Sequence, residues 1–529
     1  MAKGYLSLVL HAHLPYIHHP EDPNLLEERW LHEAITECYI PIIKVCNNLK
    51  KENVDFKITI SLSPPLMAML SNPLLQKRYL KHLEKMIELS KKEVKRTESL
   101  PEFQVVAKMY QNLLHQAYLI FHVQYHNNLL QAFKELQESG HVELITCAGT
   151  HGYLPLLSIH RESVEAQVKV AVDYFKETFG FQPPGMWLPE CGYFPGVDEI
   201  LRNNGIQYFF VESHGLLYAK PRPKYATLAP LRCPSGVAAF ARDIESSKQV
   251  WSAQEGYPGD FDYREYYRDI GYDLDYDYIK DYIHPDGIRI NTGFKYHRIT
   301  GKTDYKEVYK PEWAREKAAI HAGNFMFNRQ KQVEYFSQFM DRPPIIVCPY
   351  DAELFGHWWF EGPQWLEFLM KKIHFDQNEI ETIAPSQYLE RHSHIQPATP
   401  CASSWGHEGY SDVWLDDSND WIYRHLHRAA KSMINAARAA NRSNDYWHHR
   451  ILNQAARELL LAQSSDWAFI MKTGTMVDYA VRRTNEHLER FDKLIQSLRK
   501  GEIDQDWLEE VEERDNIFPS VDYKVYAGI

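Results

Sequence analysis

Two acidic residues in this chain stand where chemistry can be done. Glu190 ends the stretch "GMWLPE" and Asp351 ends "PPIIVCPYD", each directly after a short apolar run that reads as a buried strand. Two carboxyls converging on one pocket are the equipment of glycosidic-bond chemistry: one attacks the anomeric carbon while the other protonates the departing oxygen. A gap of roughly 5–5.5 Å between them gives retention, and a wider gap leaves room for a water and gives inversion. The acid must keep its proton near neutral pH. Phe355, Trp358 and Trp359, close behind Asp351, are expected to raise its pKa by excluding water.

Histidines also follow predicted strands. His11 and His13 in "HAHLP" lie two apart on an extended chain and so share one face; His151 stands in "GTHGY". Together with Asp351 they match the ligand pattern of a zinc-dependent barrel hydrolase, an HxH after the first strand with further histidines and a late aspartate. That reading leaves Glu190 and the tryptophans without a task. A non-catalytic sugar-binding protein would keep the tryptophans and lack a carboxyl, and here both carboxyls are present.

Aromatic residues point to sugar. The chain has 13 Trp and 33 Tyr, flat faces with polar tips that suit pyranose rings as well as interiors. Trp405 and Trp414 flank the Gly-rich "SSWGHEGYSDVWLDD", and Asp466 and Trp467 sit in "SSDWAFI". In predicted loops they form a candidate binding surface.

The elements that must position these groups alternate. Strands are predicted at Leu6–Leu10, Val54–Leu62, His141–Cys147, "GMWLPE", Gln207–Val211, "VAAFARD" and "PPIIVCPYD", with a helix over Ser163–Thr178. Alternating strands and helices imply a parallel sheet, and this many favour a barrel with its functional groups just past the carboxyl ends of the strands. Residues 64–138, rich in Leu, Lys and Glu, read as a helical insertion. Ser213–Pro234 reads as a surface loop, and from about Asp420 the chain turns helical.

Composition narrows the class. At 529 residues the chain suggests one large domain with additions, and 44% hydrophobic with 25% charged residues marks a folded soluble protein. A net charge of -12 argues against a nucleic-acid partner and gives no basic patch for a membrane. Seven scattered Cys outside CxxC pairs indicate neither a disulfide framework nor a zinc ribbon. The apolar run at the N-terminus is too short for a signal peptide, so a cytoplasmic enzyme acting as a monomer is expected.

Five segments in order, "HAHLP", "GTHGY", "WLPECGY", "PYDAELFGHWW" and "SSWGHEGYSDVWL", resemble the signature regions of glycoside hydrolase family 57. "QVWSAQEGYPGDFDYREYYRDIGYD" and "SSDWAFIMKTGTMVDYA" extend the resemblance over essentially the whole chain, toward the family's 1,4-alpha-glucan branching enzymes of the DUF1957 type. The resemblance implies an α/β fold: an incomplete (β/α)7 barrel (residues 1–405) with a helical insertion at about 64–138 and a C-terminal all-helical domain (406–529).

It assigns Glu190 as nucleophile and Asp351 as general acid/base. Arg242, Gly259, Trp405 and Asp466 fall on substrate-binding positions, His13 and His151 line the donor site, and Trp414 joins Trp405 in holding the chain. It implies an α-glucan substrate (amylose, amylopectin or glycogen) and no metal or cofactor. The expected reaction cleaves an internal α-1,4 link through a covalent glycosyl-enzyme and forms an α-1,6 branch. Hydrolysis of α-amylase type, or 4-α-glucanotransfer, is the alternative. The family's mobile active-site loop is matched to "AKPRPKYATLAP", with Tyr225 as its tyrosine and Leu228 where a second tyrosine often stands.

Overall fold

Strand β1 (Gly4–Ala12) is buried along its whole length, and its residues alternate between two environments. Leu6, Leu8 and Leu10 pack outward against helices, while Tyr5 and Val9 face a second apolar cluster that fills the barrel. The same period of two runs through β2 (Ile58–Leu62), β3 (Val142–Cys147), β4 (Gly185–Trp187), β5 (Tyr208–Val211), β7 (Ala238–Ala241) and β8 (Ile345–Asp351); β6 (Leu231–Arg232) and β9 (Ile380–Thr382) are short additions. This computed structural model describes residues 2–252, 255–441 and 445–528.

The sheet order is β6-β7-β5-β4-β3-β2-β1-β8, parallel except for the β6–β7 pair, and β9 pairs with the start of β1. The seven parallel strands from β7 to β8 curl into an incomplete (β/α)7 barrel. Among the described residues no ladder joins β7 to β8; instead the Asp243 N–H donates across the gap to the Val347 carbonyl at 2.9 Å. Val54–Lys57, expected within a strand, precede β2 as irregular backbone.

Helices Pro64–Ser71, Pro73–Arg96, Pro101–Tyr118 and Leu129–Glu138 fill the predicted insertion. Ser63 and Asn72, each followed by proline, cap the first two by accepting backbone N–H bonds. A second excursion, 255–310, carries little regular structure and lies on these helices. Its Tyr278 and Tyr282 hydroxyls donate to Glu93 and Glu88, each at 2.7 Å. Alternation of strand and helix could not announce it.

Helices Trp421–Ala440, Tyr446–Ala462, Ser465–Thr473, Val477–Lys500 and Gln505–Arg514 form the C-terminal helical region. It closes on the barrel through the turn after β3, where Ser465 N–H donates to the His151 carbonyl at 3.0 Å. No helix among the described residues is long and apolar enough to cross a membrane.

Candidate active site

Strand periodicity aims the polar groups inward. Residues alternating with the outward-packed Leu6, Leu8 and Leu10 of β1 include His11, and Asp351 alternates with the outward Ile346, Cys348 and Tyr350 of β8. The same count past β5 and β7 places Glu212 and Arg242 on the inner side. These groups meet at the carboxyl ends of the strands.

Glu190 follows β4 in a one-turn 3-10 segment, Pro189–Cys191, with φ +62° and ψ +23°. His151 and Cys191 share this left-handed conformation, at φ +58° and +51°. For residues with a Cβ it costs about 1–2 kcal/mol each, and such strain is concentrated where a side chain must be aimed. The Glu190 carboxylate accepts from the Trp405 indole N–H at 2.6 Å and from Ser465 Oγ at 3.2 Å. Trp405 in turn meets Trp187 edge-on at 5.1 Å, and the Arg242 guanidinium lies 5.9 Å from its ring.

The histidines form a stack. His11 lies on Trp187 at 4.7 Å, and His13 on His151 at 3.8 Å. His11 and His151 share a hydrogen bond between their Nε2 atoms at 3.0 Å, and His151 Nδ1 reaches Ser465 Oγ at 2.7 Å. Burial holds both imidazoles well below their ordinary pKa, so they are neutral. His13 Nε2 lies 3.1 Å from both oxygens of Asp466. Burial opposes ionisation of Asp466, but His13 and Ser464 overcome it and hold its pKa at about 2.

Burial drives the two central carboxyls the other way. Glu190 is pushed up to about 8, with the charges of Asp351 and Asp466 adding to burial and the Trp405 and Ser465 bonds pulling back. Asp351 is pushed up to about 7, with His13 and Arg242 pulling back. Both carboxyls are therefore held toward their neutral forms near neutral pH. Hydrogen-bond donors favour the charge on Glu190. Among the described residues no protein group donates to the Asp351 carboxyl, which leaves it free to carry the proton and pass it on.

Residues 7–397 match Glycosyl hydrolase family 57, and residues 425–526 match 1,4-alpha-glucan branching enzyme, C-terminal. The chain belongs to glycosyl hydrolase family 57. It is 34% identical over 554 aligned positions to the 1,4-alpha-glucan branching enzyme TK1436 of Thermococcus kodakarensis, covering 98% of this chain and 78% of that protein. The crystal structure of the novel alpha-amylase AmyC from Thermotoga maritima superposes with TM-score 0.94 at 45% identity, over 100% of both chains. The GH57-type branching enzyme from Pyrococcus horikoshii superposes with TM-score 0.89 at 33% identity, over 99% of this chain and 97% of that one.

In this family 57 chain Glu190, Trp405, Asp466, His13 and His151 form one contact network, and Asp351 and Arg242 act electrostatically on it. Gly259 stands apart from that network. Its turn is tied through Tyr257 to Asn324 at 2.7 Å and through Asp260 to Lys317 at 3.6 Å.

Three expectations need correction. Trp414 is only 1% exposed, stacked on Tyr153 at 4.8 Å, so its faces are packed in the core and are not a sugar surface. Trp467, beside it in the same expectation, is also enclosed, and Asp466 lies on the first turn of a helix rather than in a loop. The segment around Tyr225 lies at the opposite end of the barrel. The Leu228 carbonyl accepts from Ile345 N–H at the start of β8, and the Tyr225 ring lies 5.8 Å from the Arg342 guanidinium. Asp351 ends that strand six residues on, about 20 Å away at a strand's rise.

The zinc pattern fares no better: none of the groups of described residues near enough to share an ion includes Asp351, and the expected histidines divide between two sets, His11 with Cys147 and His151, and His13 with His151 and Asp466. The expected aromatic pocket is also divided, since Phe355 and Trp359 are buried while Trp358 is 55% exposed.

Sequence reasoning missed several groups. Glu212 follows β5 by the same strand-end rule that found Glu190, and its carboxylate accepts from Arg242 Nη1 at 3.1 Å. Glu353, pushed up to about 8 by burial, accepts from the Tyr39 hydroxyl at 2.6 Å and the His13 backbone N–H at 3.1 Å. A cleft of about 440 Å³ beside the site is lined by Glu212, His214, Arg242, Trp251, Gly406 and Glu408 among others. Ser465 had no sequence signal beyond its neighbour Asp466.

Proposed function

We propose that this enzyme is a retaining α-glucan transferase that cleaves an internal α-1,4 link and re-forms it as an α-1,6 branch, with Glu190 as nucleophile and Asp351 as general acid/base. The observation carrying the reading is the carboxyl pair: both groups partly buried and raised toward neutral pH, and, among the described residues, only Glu190 supplied with hydrogen-bond donors. The ionised Glu190 attacks the anomeric carbon while Asp351 gives its proton to the departing oxygen, leaving a covalent glycosyl-enzyme. Asp351, now a carboxylate, takes the proton of an incoming glucose 6-hydroxyl as that oxygen attacks, and Glu190 leaves as a carboxylate.

Asp466, His13 and His151 line the donor side, and Arg242 and Trp405 the side toward the cleft. Gly259 belongs to the substrate-binding set by motif alone. The division into a barrel, 1–405, and a helical domain, 406–529, belongs to the same proposal, as does an α-glucan as substrate. Branching homologues at 34% and 33% identity support the transferase.

A second reading, hydrolysis, is favoured by the 45% identity to a protein described as an alpha-amylase. The two share the glycosyl-enzyme and differ in whether water or a glucan hydroxyl attacks it. Incubation with amylose followed by isoamylase debranching decides between them. New short chains released by isoamylase are expected; reducing ends that rise without new α-1,6 links make the enzyme an amylase.

A further inference from the structure

We propose that Trp358, stacked on Tyr266, is a remote subsite that holds an α-glucan chain outside the catalytic pocket; the inference rests on the α-glucan reading of the carboxyl pair. Trp358 and Trp359 are neighbours with opposite fates. Trp359 is packed in the core, whereas Trp358 keeps more than half its surface in solvent. Its inner face lies on the Tyr266 ring, centroids 4.4 Å apart and 23° from parallel, leaving the outer face open. An open indole face beside hydroxyl groups suits the C–H face of a glucose ring. Tyr267, 81% exposed, stands edge-on to Tyr266 at 5.2 Å and supplies such a hydroxyl.

An exposed tryptophan without a task needs no support, and this one is held from beneath. The His357 ring meets both Trp358 and Tyr266 edge-on at 5.4 Å. His357 Nδ1 lies 2.8 Å from the buried Glu37 carboxylate, and its Nε2 lies 3.1 Å from the Tyr266 hydroxyl. Burial opposes charge on Glu37, but the His357 bond and Arg264 keep it below the usual carboxylate range. Arg264 Nη2 also donates to the His357 carbonyl at 3.3 Å. Gly356, at φ +112°, passes so close to the Glu37 carbonyl that a Cβ there would stand 1.7 Å from it. Ordering buried charges to fix a surface ring is the pattern of a preorganised contact.

Continuity with the catalytic pair identifies the occupant. Glu37 sits in the π-helical turn Ile35–Tyr39, and Tyr39 of the same turn donates to Glu353, two residues after Asp351. One turn therefore fastens both ends of the loop that runs from the catalytic aspartate to the tryptophan. The seven-residue step from Asp351 to Trp358 spans at most about 25 Å, so a polymer of glucose units can touch both, whereas a di- or trisaccharide held at the catalytic pair cannot extend far toward the tryptophan.

The test compares chain lengths. In the Glu190→Gln background, which needs no turnover, Trp358→Ala is expected to weaken amylose affinity about tenfold in native affinity electrophoresis. Trp358→Phe, which keeps a ring on Tyr266, is expected to lose no more than about twofold. In the otherwise unaltered enzyme Trp358→Ala should raise KM for amylose at least fivefold more than KM for maltotriose. Unchanged amylose affinity, equal rises in the two KM values, or a Phe variant as impaired as the Ala variant would overturn the subsite. Failure of Glu190→Gln itself to bind amylose would instead overturn the α-glucan reading, a separate outcome.

Discussion

Trp405 grips Glu190 twice: its indole N–H donates to the carboxylate at 2.6 Å, and its backbone N–H donates to the Glu190 carbonyl at 2.9 Å. One residue 215 positions further along the chain thus sets the position of the nucleophile and favours its charged form. Trp405→Phe keeps the ring and removes the indole donor. A hydrogen bond to a charged group is worth about 1.5–3 kcal/mol, so kcat/KM should fall about 10- to 100-fold. With that donor gone the Glu190 pKa rises further, and the acid limb of the pH–rate profile should move to higher pH. A limb that stays in place would show that the indole bond does not tune the nucleophile.

Asp351→Asn removes the proton donor and leaves the attacking group. General acid catalysis contributes about 10²- to 10⁴-fold, so activity on amylose should fall by that factor. α-Glucosyl fluoride needs no proton on its leaving group, so the burst of fluoride should survive. Equal losses on both substrates would remove Asp351 from the acid role.

Stability should depend on pH through Asp351. Folded, it keeps its proton up to about 7; unfolded, it loses it near about 3.9. Between these values the folded state binds more protons, so this carboxyl destabilises the protein progressively as pH rises. Asparagine carries no such charge. The melting temperature of Asp351→Asn relative to the parent should therefore increase from pH 5 to pH 7. A constant difference across that range would mean that Asp351 is ionised throughout in the folded protein.

Trp414 should behave as a core residue. It is enclosed against Tyr153 and beneath the Gly406 turn, so Trp414→Ala should cost about 3–5 kcal/mol of stability. Thermal melting reads this directly. Weaker amylose binding with an unaltered melting temperature would return Trp414 to the binding surface.

Prolonged dialysis against EDTA should leave turnover intact, because the proposed reaction uses carboxyls alone. Loss of activity restored by zinc would make His13, His151 and Asp466, whose ligand atoms lie within 4.8 Å of one another, a working metal site.

What could be read in advance followed from local rules. Apolar runs ending in Glu190 and Asp351 marked strands, and the period of two put His11 and His13 on one face, while Arg242 was reached only through the family resemblance. Glu212 obeys the same strand-end rule after β5, and its partner Arg242, 30 residues away, shows only in the fold. The Tyr225 segment, expected over the active site by resemblance alone, lies at the other end of the barrel. It has no periodicity, and a loop's position depends on which strand end it meets, here the Ile345 end of β8 rather than the Asp351 end.

The sequence by itself determined the parallel barrel, the helical insertion, the helical C-terminal region and the two acids, because strand and helix periods and strand-end residues are written locally. Only the tertiary structure decided which aromatic rings face solvent and which carboxyl is supplied with donors. Trp358 and Trp359 are adjacent and chemically identical, yet one is open and the other enclosed. Burial and hydrogen bonding are properties of neighbours brought from elsewhere in the chain: Trp405 and Ser465 to Glu190, Glu37 to His357.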